Sequence, residues 1–328
     1  MWRFILGRLL WMIPTLIVIS IISFIIIQLP PGDYLSSYIA RLEALGSTVD
    51  QATIDSLRLH YGLNDPIWVQ YFKWLWNIVF EGNFGYSFEW RMPVSQLIVD
   101  RLPTTFLVAI CSLLFAWSIA LPIGIFSAVK QYSVGDYFFT ILGFLGLGIP
   151  NFMLALTFLY VSNRYFGLSV GGLFSPEYLN APWSIAKFLD LLSHLWIPVV
   201  IVGTAGTAGL IRITRANVLD ELRKPYVETA RAKGLHPMVL ILKYPVRIAL
   251  NPFVSSMGFI LPGMISGEVI VSIVLNLPTT GPLLYGALLS QDTYLAGAFV
   301  LMLAVLTVIG VLISDILLAW LDPRIRLS

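Results

Sequence analysis

Six stretches of this chain are long and apolar enough to cross a bilayer, and no other feature of the sequence constrains its fold as strongly. A hydrocarbon core about 30 Å thick needs about 20 apolar residues in a helix. A helix also pairs its backbone groups within itself, as lipid demands. The stretches fall near 9–29, 104–128, 138–162, 194–213, 252–275 and 297–320. Charged residues make up 12% of the 328 positions, about half the share of an ordinary soluble domain. The expected fold is therefore an all-α polytopic membrane protein with about six transmembrane helices. Cys111 is the single cysteine and lies inside an apolar run, so neither a disulfide framework nor a cysteine metal cluster is expected. His60, His194 and His236 are far apart and form no metal-ligand spacing.

The run from Leu9 to Leu29 follows Arg3 and Arg8. It is too long for the core of a signal peptide and no small-residue cleavage site follows, so it reads as a retained helix. Pro14, Pro122, Pro150, Pro198 and Pro262 fall in or at the ends of the spans, where neighbouring helices can pair the groups that prolines free. Glycines Gly143, Gly146 and Gly148, and Gly203, Gly206 and Gly209, give spans three and four the small residues that let helices approach closely.

Orientation follows from the basic residues near the span ends. With the N-terminus inside, the inner segments hold 13 of the 20 Lys and Arg. The deciding stretch is Arg212–Arg247, with eight basic and three acidic residues. Both termini are expected to be cytoplasmic.

The outer segment after the first span, residues 30–103, is too long to be a connector. Asn64-Asp65-Pro66 marks a helix start, with Asp65 as the cap and Pro66 at the first helical position. The helix that follows carries Trp68, Tyr71, Phe72, Lys73, Trp74 and Trp76, which suits either a helix at the membrane–water boundary or a small packed cap. The glycines and aromatics of Gly82–Phe88 predict a turn back to span two. A second outer stretch, 163–193, reads as loop plus a short helix.

Between spans four and five lies a polar insert, 214–250, whose pattern a plain connector does not need. Asp220–Lys224 is amphipathic, and Pro225 breaks or restarts the helix because it lacks an N–H. Tyr226–Lys233 is compatible with a short exposed helix, and Gly234 follows where a positive φ ends one. His236-Pro237 then starts another helix. The resulting helix–glycine–helix is a compact knob of a kind that fills a groove on another protein. A basic loop held by anionic lipid would explain the Arg and Lys, but not the spacing Glu228-x-Ala230-x-x-x-Gly234.

At these residues the chain resembles the inner-membrane permease subunits of binding-protein-dependent ABC importers. Glu228-Thr-Ala230 with Gly234 is similar to the first half of that family's EAA motif. The second half departs from it, with Tyr244-Pro-Val-Arg247 in its place. Arg8–Thr15, Pro31-Gly-Asp33, Arg101–Thr105 and Leu321–Arg326 resemble, in order, signatures of the dipeptide and oligopeptide branch. Leu277-Pro-Thr-Thr-Gly-Pro282 departs from that branch, so oligosaccharide remains an alternative solute to peptide. The resemblance implies a type I importer permease with this organisation: 1–29 the first helix, 30–103 the outer segment, 104–320 the permease core, and 321–328 a cytoplasmic tail. It implies that Tyr226, Glu228, Ala230, Arg231, Ala232, Lys233 and Gly234 couple the chain to ATPase subunits. The implied partners are a second permease subunit, a paralogue by family habit, two ATPases that bind ATP and magnesium, and an extracytoplasmic solute-binding protein, all in the inner or plasma membrane of a prokaryote.

The chain has no Gly-x-x-x-x-Gly-Lys-Ser/Thr phosphate loop. No catalytic residue, metal ligand or cofactor of its own is expected, which fits a transport subunit and not an enzyme. A stand-alone secondary transporter would couple through ionisable residues within its spans. Glu268 is the clearest such residue, with Asp315 nearer the end of span six. Ser272 and Asn276 continue from Glu268 at i+4 and i+8, so the three predict a polar stripe on span five. That stripe fits a solute pathway or a contact with the sister subunit.

Overall fold

The computed structural model describes residues 2–28, 65–87, 89–167, 171–251, 253–255, 269–290 and 292–321. Among them are twelve helices and one short hairpin: α1 (Trp2–Gln28), α2 (Ile67–Glu81), β1 (Tyr86–Ser87), β2 (Met92–Pro93), α3 (Val94–Val129), α4 (Val134–Gly148), α5 (Asn151–Phe166), α6 (Ile185–Leu222), α7 (Pro225–Ala232), α8 (Pro237–Lys243), α9 (Pro245–Ala249), α10 (Val269–Val274), α11 (Thr280–Leu289) and α12 (Thr293–Leu321).

Length and hydropathy give five membrane-crossing candidates, or six if α4 and α5 form one broken span. The third expected span is that pair, bent by 94°. Pro150 is the reason. It disfavours helical geometry at the residue before it, and Ile149 is accordingly extended at φ −95° and ψ 119°. Pro14 and Pro198, in contrast, lie inside α1 and α6 without ending them. The apolar run Pro237–Ser255 passes the same length and hydropathy test, although it takes in α8 and α9, which the sequence assigns to the polar insert. Tyr244 breaks it (φ −112°, ψ −75°) and Lys243 and Arg247 are exposed, so α8 and α9 fit the membrane edge better than its interior.

The chain divides into two compact units. One holds the described parts of 2–103 and 282–308. In it α2 lays Tyr71 against α1, where Tyr71 meets the Phe24 ring edge-on at 5.5 Å and shares a 2.8 Å hydrogen bond with Ser20. Trp68, Phe72, Trp76 and Phe80, spaced four apart, are exposed along α2. The helix is thus packed on one edge and leaves an aromatic stripe suited to a membrane boundary. Asp65 does not cap it. Pro66 occupies the cap position, and the Asp65 carboxylate instead accepts Lys73 Nζ at 2.5 Å. The expected turn is the hairpin β1–β2, pairing Tyr86 with Pro93 and Ser87 with Met92. Buried Ser87 donates to buried Asp292 at 2.6 Å, and Asp292 also accepts the Leu295 N–H at the start of α12. Val94, Leu97, Ile98, Leu283, Leu295 and Phe299 form the core.

The second unit holds the described parts of 104–281 and 309–321. Its core gathers Val108, Ala155, Leu195, Ile197, Ile201, Val271 and Leu275 from α3, α5, α6 and the α10 region. Glycine allows the closest approaches. A Cβ on Gly203 would stand 2.5 Å from the Phe115 ring, and one on Gly146 3.3 Å from Thr204. Gly148, Gly206 and Gly209 have open space instead, so only part of each cluster serves packing. The second outer stretch contains no separate short helix among its described residues. Ser184 caps α6 directly through the Lys187 N–H, and the outer helix is the beginning of α6. Lys187 reaches back to the Ala181 carbonyl at 2.6 Å and lies over the Phe174 ring, while Asp190 accepts the Ser175 hydroxyl.

Candidate functional site: the helix–glycine–helix knob

Three proline-led helices build the knob. α6 ends at Leu222, Lys224 is extended (φ −80°, ψ 147°), and Pro225 opens α7 in the first turn, where a missing N–H costs nothing. Pro237 opens α8 and Pro245 opens α9 in the same way. Between α7 and α8, Gly234 takes φ +75° and its N–H donates to the Arg231 carbonyl at 3.0 Å. This is the left-handed residue that ends a helix and turns the chain.

The turn folds α7 and α8 onto a small apolar centre. Val227, Ala230 and Leu240 are buried there, flanked by Tyr226, Leu235, Ile241 and Tyr244. The Tyr226 and Tyr244 rings lie 6.2 Å apart. Buried Glu221, on the last turn of α6, ties the centre to that helix: it accepts Lys224 Nζ at 2.5 Å and the Tyr226 hydroxyl. Burial first, and then Glu221, push the Tyr226 phenol above its ordinary value, so it stays protonated and keeps donating. Beneath, Ala128 of α3, Val218 of α6 and Ala249 of α9 form a second cluster with Leu219, Leu222 and Val246. The knob is therefore packed against the bundle through its base.

The seven residues expected to form the coupling surface divide into two groups. Glu228, Arg231, Ala232, Lys233 and Gly234 are exposed. Ala230 is buried and Tyr226 is half-buried with its hydroxyl on Glu221, so these two hold the knob together and do not form its face. Of the two alanines of α7 only Ala232 is exposed. Glu228 sits in the first turn of α7, where a carboxylate suits the helix dipole. It caps nothing, and Glu228, Arg231 and Lys233 have no ion-pair partner among the described residues. The knob thus presents one acid and two bases, all available to a partner.

The polar stripe on span five does not form as expected. Glu268 lies outside the described residues. Ser272 is fully buried in the core of its unit, and its hydroxyl has no hydrogen-bond partner among the described residues. Asn276 is exposed, but it lies beyond the end of α10 at φ +52°. The i+8 relation required one unbroken helix, and α10 ends at Val274.

Three arrangements escaped the sequence reading. The first is Glu221, the hub beneath the knob. The second is the bidentate pair joining α4 to α6, in which Arg215 Nε and Nη2 reach buried Asp136 at 3.0 and 2.9 Å. Ser133 accepts the Asp136 N–H as the α4 cap, and the Ser-x-x-Asp pattern is a signal that marks it. The third is a buried pair of threonines. Thr105 and Thr280 hydroxyls lie 3.2 Å apart, and Thr105 also accepts the Thr280 N–H. Each ends a Leu-Pro-Thr-Thr sequence, at 102–105 and 277–280. That repetition was the available signal.

Comparison with known proteins covers nearly the whole chain. Residues 120–327 match the family described as "binding-protein-dependent transport system inner membrane component", and residues 1–109 match its N-terminal counterpart. The chain is 39% identical to the oligopeptide transport system permease protein AppB of Bacillus subtilis, covering 98% of this chain and 99% of that one. It is 28% identical to the dipeptide transport system permease protein DppB of Escherichia coli K12, covering 99% of each. Its fold is similar to a chain of the MetNI methionine ABC transporter in an inward-facing form, with a TM-score of 0.51 at 16% identity over 69% of this chain and 97% of that chain.

Proposed function

The chain belongs to the family of binding-protein-dependent transport system inner membrane components, and from that membership we propose that it lines a pathway for peptides and receives its drive from separate ATPase subunits through the α7–Gly234–α8 knob. Its place as a multi-pass inner-membrane permease of an ABC importer follows from the family itself. Peptide as solute is supported by the names of the two permeases above, which carry oligopeptides and dipeptides.

One observation carries the coupling reading. The knob has a core and a base of its own, yet leaves the charges of Glu228, Arg231 and Lys233 exposed. A rigid body with uncompensated charge suits a contact made by electrostatic complementarity. Two ATPases binding ATP and magnesium would take it on the cytoplasmic side, a paralogous permease would complete the membrane part, and a solute-binding protein would deliver peptide outside. Both termini are cytoplasmic in this arrangement.

The test has two arms. In a Cys111→Ser background, a cysteine at position 233 should resist an impermeant thiol reagent in intact cells and one at Asn83 should react. Labelling at 233 would reverse the orientation and remove the coupling assignment with it. In the assembled transporter, Glu228→Lys should insert normally and lose solute-stimulated ATP hydrolysis. Full transport at normal expression would leave the knob as a connector.

A further inference from the structure

A groove of about 240 Å³ lies along α4 and α6, with no residue of α7, Gly234 or α8 in its lining, and that lining changes character from one end to the other. At one end are Tyr132, Tyr137, Arg212 and the Asp136–Arg215 pair. At the other are Gly143, Phe144, Leu147 and Ala208. The Arg215 charge is matched by Asp136. Arg212 is exposed and has no ion-pair partner among the described residues, so the polar end carries one uncompensated positive charge. Tyr132 is held at the rim at φ +63°, a conformation uncommon for a tyrosine, and its N–H donates to Asp136 at 2.9 Å. At the apolar end Gly143 faces Ala208, and a Cβ at 143 would stand 3.5 Å from that of Ala208, in ordinary contact, so two small residues form the floor.

We propose that this groove binds an anionic phospholipid, with the headgroup phosphate at Arg212 and one acyl chain along the floor between Gly143, Leu147 and Ala208. The gradient from cation to tyrosines to hydrocarbon is that of a lipid molecule. Basic pockets between membrane helices on the cytoplasmic side take anionic headgroups, and tyrosines belong at headgroup level. From Tyr137 to Leu147 the helix rises about 15 Å, half the roughly 30 Å hydrocarbon thickness, which is the depth of a single leaflet. A protein partner would not require that gradient. The site is independent of the solute and of ATPase docking, while its place in the cytoplasmic leaflet rests on the orientation proposed above.

Native mass spectrometry of the assembled transporter, titrated with dioleoylphosphatidylglycerol or dioleoylphosphatidylcholine, tests it. The anionic lipid should bind more tightly, and Arg212→Gln should weaken it by about 5-fold while Arg212→Lys retains it. Removing an exposed charge outside the groove, by Arg223→Gln, should change nothing. Dihexanoylphosphatidylglycerol should bind more weakly than the dioleoyl lipid, and inorganic phosphate should not compete. Equal binding by wild type and Arg212→Gln would overturn the site, as would competition by inorganic phosphate, which would mark a free-anion site. Cross-linking of Phe144→Cys, in the Cys111→Ser background, to the neighbouring membrane subunit would show the groove covered by protein and also overturn it.

Discussion

The hairpin turn at Gly85 and the knob turn at Gly234 use the same left-handed glycine for different purposes. Gly85 stands at φ +93°, and a Cβ there would meet the Tyr294 ring at 2.6 Å. Gly234 stands at φ +75° with nothing within 4 Å of that position. Each turn lies near a buried carboxylate, Asp292 in one unit and Glu221 in the other. Asp292 is reached by Ser87 from across the sequence, whereas among the described residues Glu221 is reached by Lys224 and Tyr226, three and five residues away. The hairpin turn closes a core, while the knob turn shapes a surface. A motif glycine is therefore constrained by backbone angle alone where its other side must stay open.

Substitutions at the two turns should separate these roles. Gly85→Val combines left-handed strain with a collision against Tyr294 and should cost about 3 kcal/mol or more. A large fall in melting temperature of the purified complex, or its failure to accumulate, would register this. Ser87→Ala removes a charge-assisted donor from fully buried Asp292 and should cost about 1.5–3 kcal/mol; Tyr226→Phe should cost less, since Glu221 retains some exposure and keeps the charged Lys224. Equal melting of these two variants would erase the distinction between the carboxylates. Gly234→Val meets only backbone strain, of order 1 kcal/mol, and should lower solute-stimulated ATP hydrolysis far more than it lowers melting temperature. If it destabilised the complex as much as Gly85→Val, the knob turn would be a core element after all. Glu228→Lys should lower the melting temperature least, since it loses only the favourable charge at the start of α7, about 0.3–1 kcal/mol, and still abolish stimulated hydrolysis.

Much of this was legible in the sequence because hydropathy adds along a span and glycine declares its own φ. Five of the six spans, the restart at Pro225 and the turn at Gly234 needed no tertiary information; the fifth span, 252–275, lies largely outside the described residues. The stripe through Ser272 and Asn276 failed because it assumed a helix that α10 does not continue. Asp65 was placed as a cap from its neighbour Pro66, but the lysine eight residues on holds its carboxylate. Ala230 looked like surface because alanine suits either side of a helix; only the position of Leu240 in α8 shows that it faces inward. The Thr105–Thr280 pair joins residues 175 positions apart, and no local periodicity reports such a contact.

The union of the knob with the end of α6 has a mechanical consequence. With 38 residues, α6 is about 57 Å long at the helical rise. Glu221 and the Val218–Ala249 cluster fasten the knob to one end of that rod, so a push on the knob need not be absorbed by a loose hinge. A tilt of about 5° at the fastened end would carry the far end through about 5 Å, roughly one helical turn. Pro198 lies along the rod, and bending there would shorten the throw. If the knob takes up a partner's movement as proposed, α6 is its lever, and the stiffness of the rod, more than the strength of its grip, sets how much of that movement crosses the membrane.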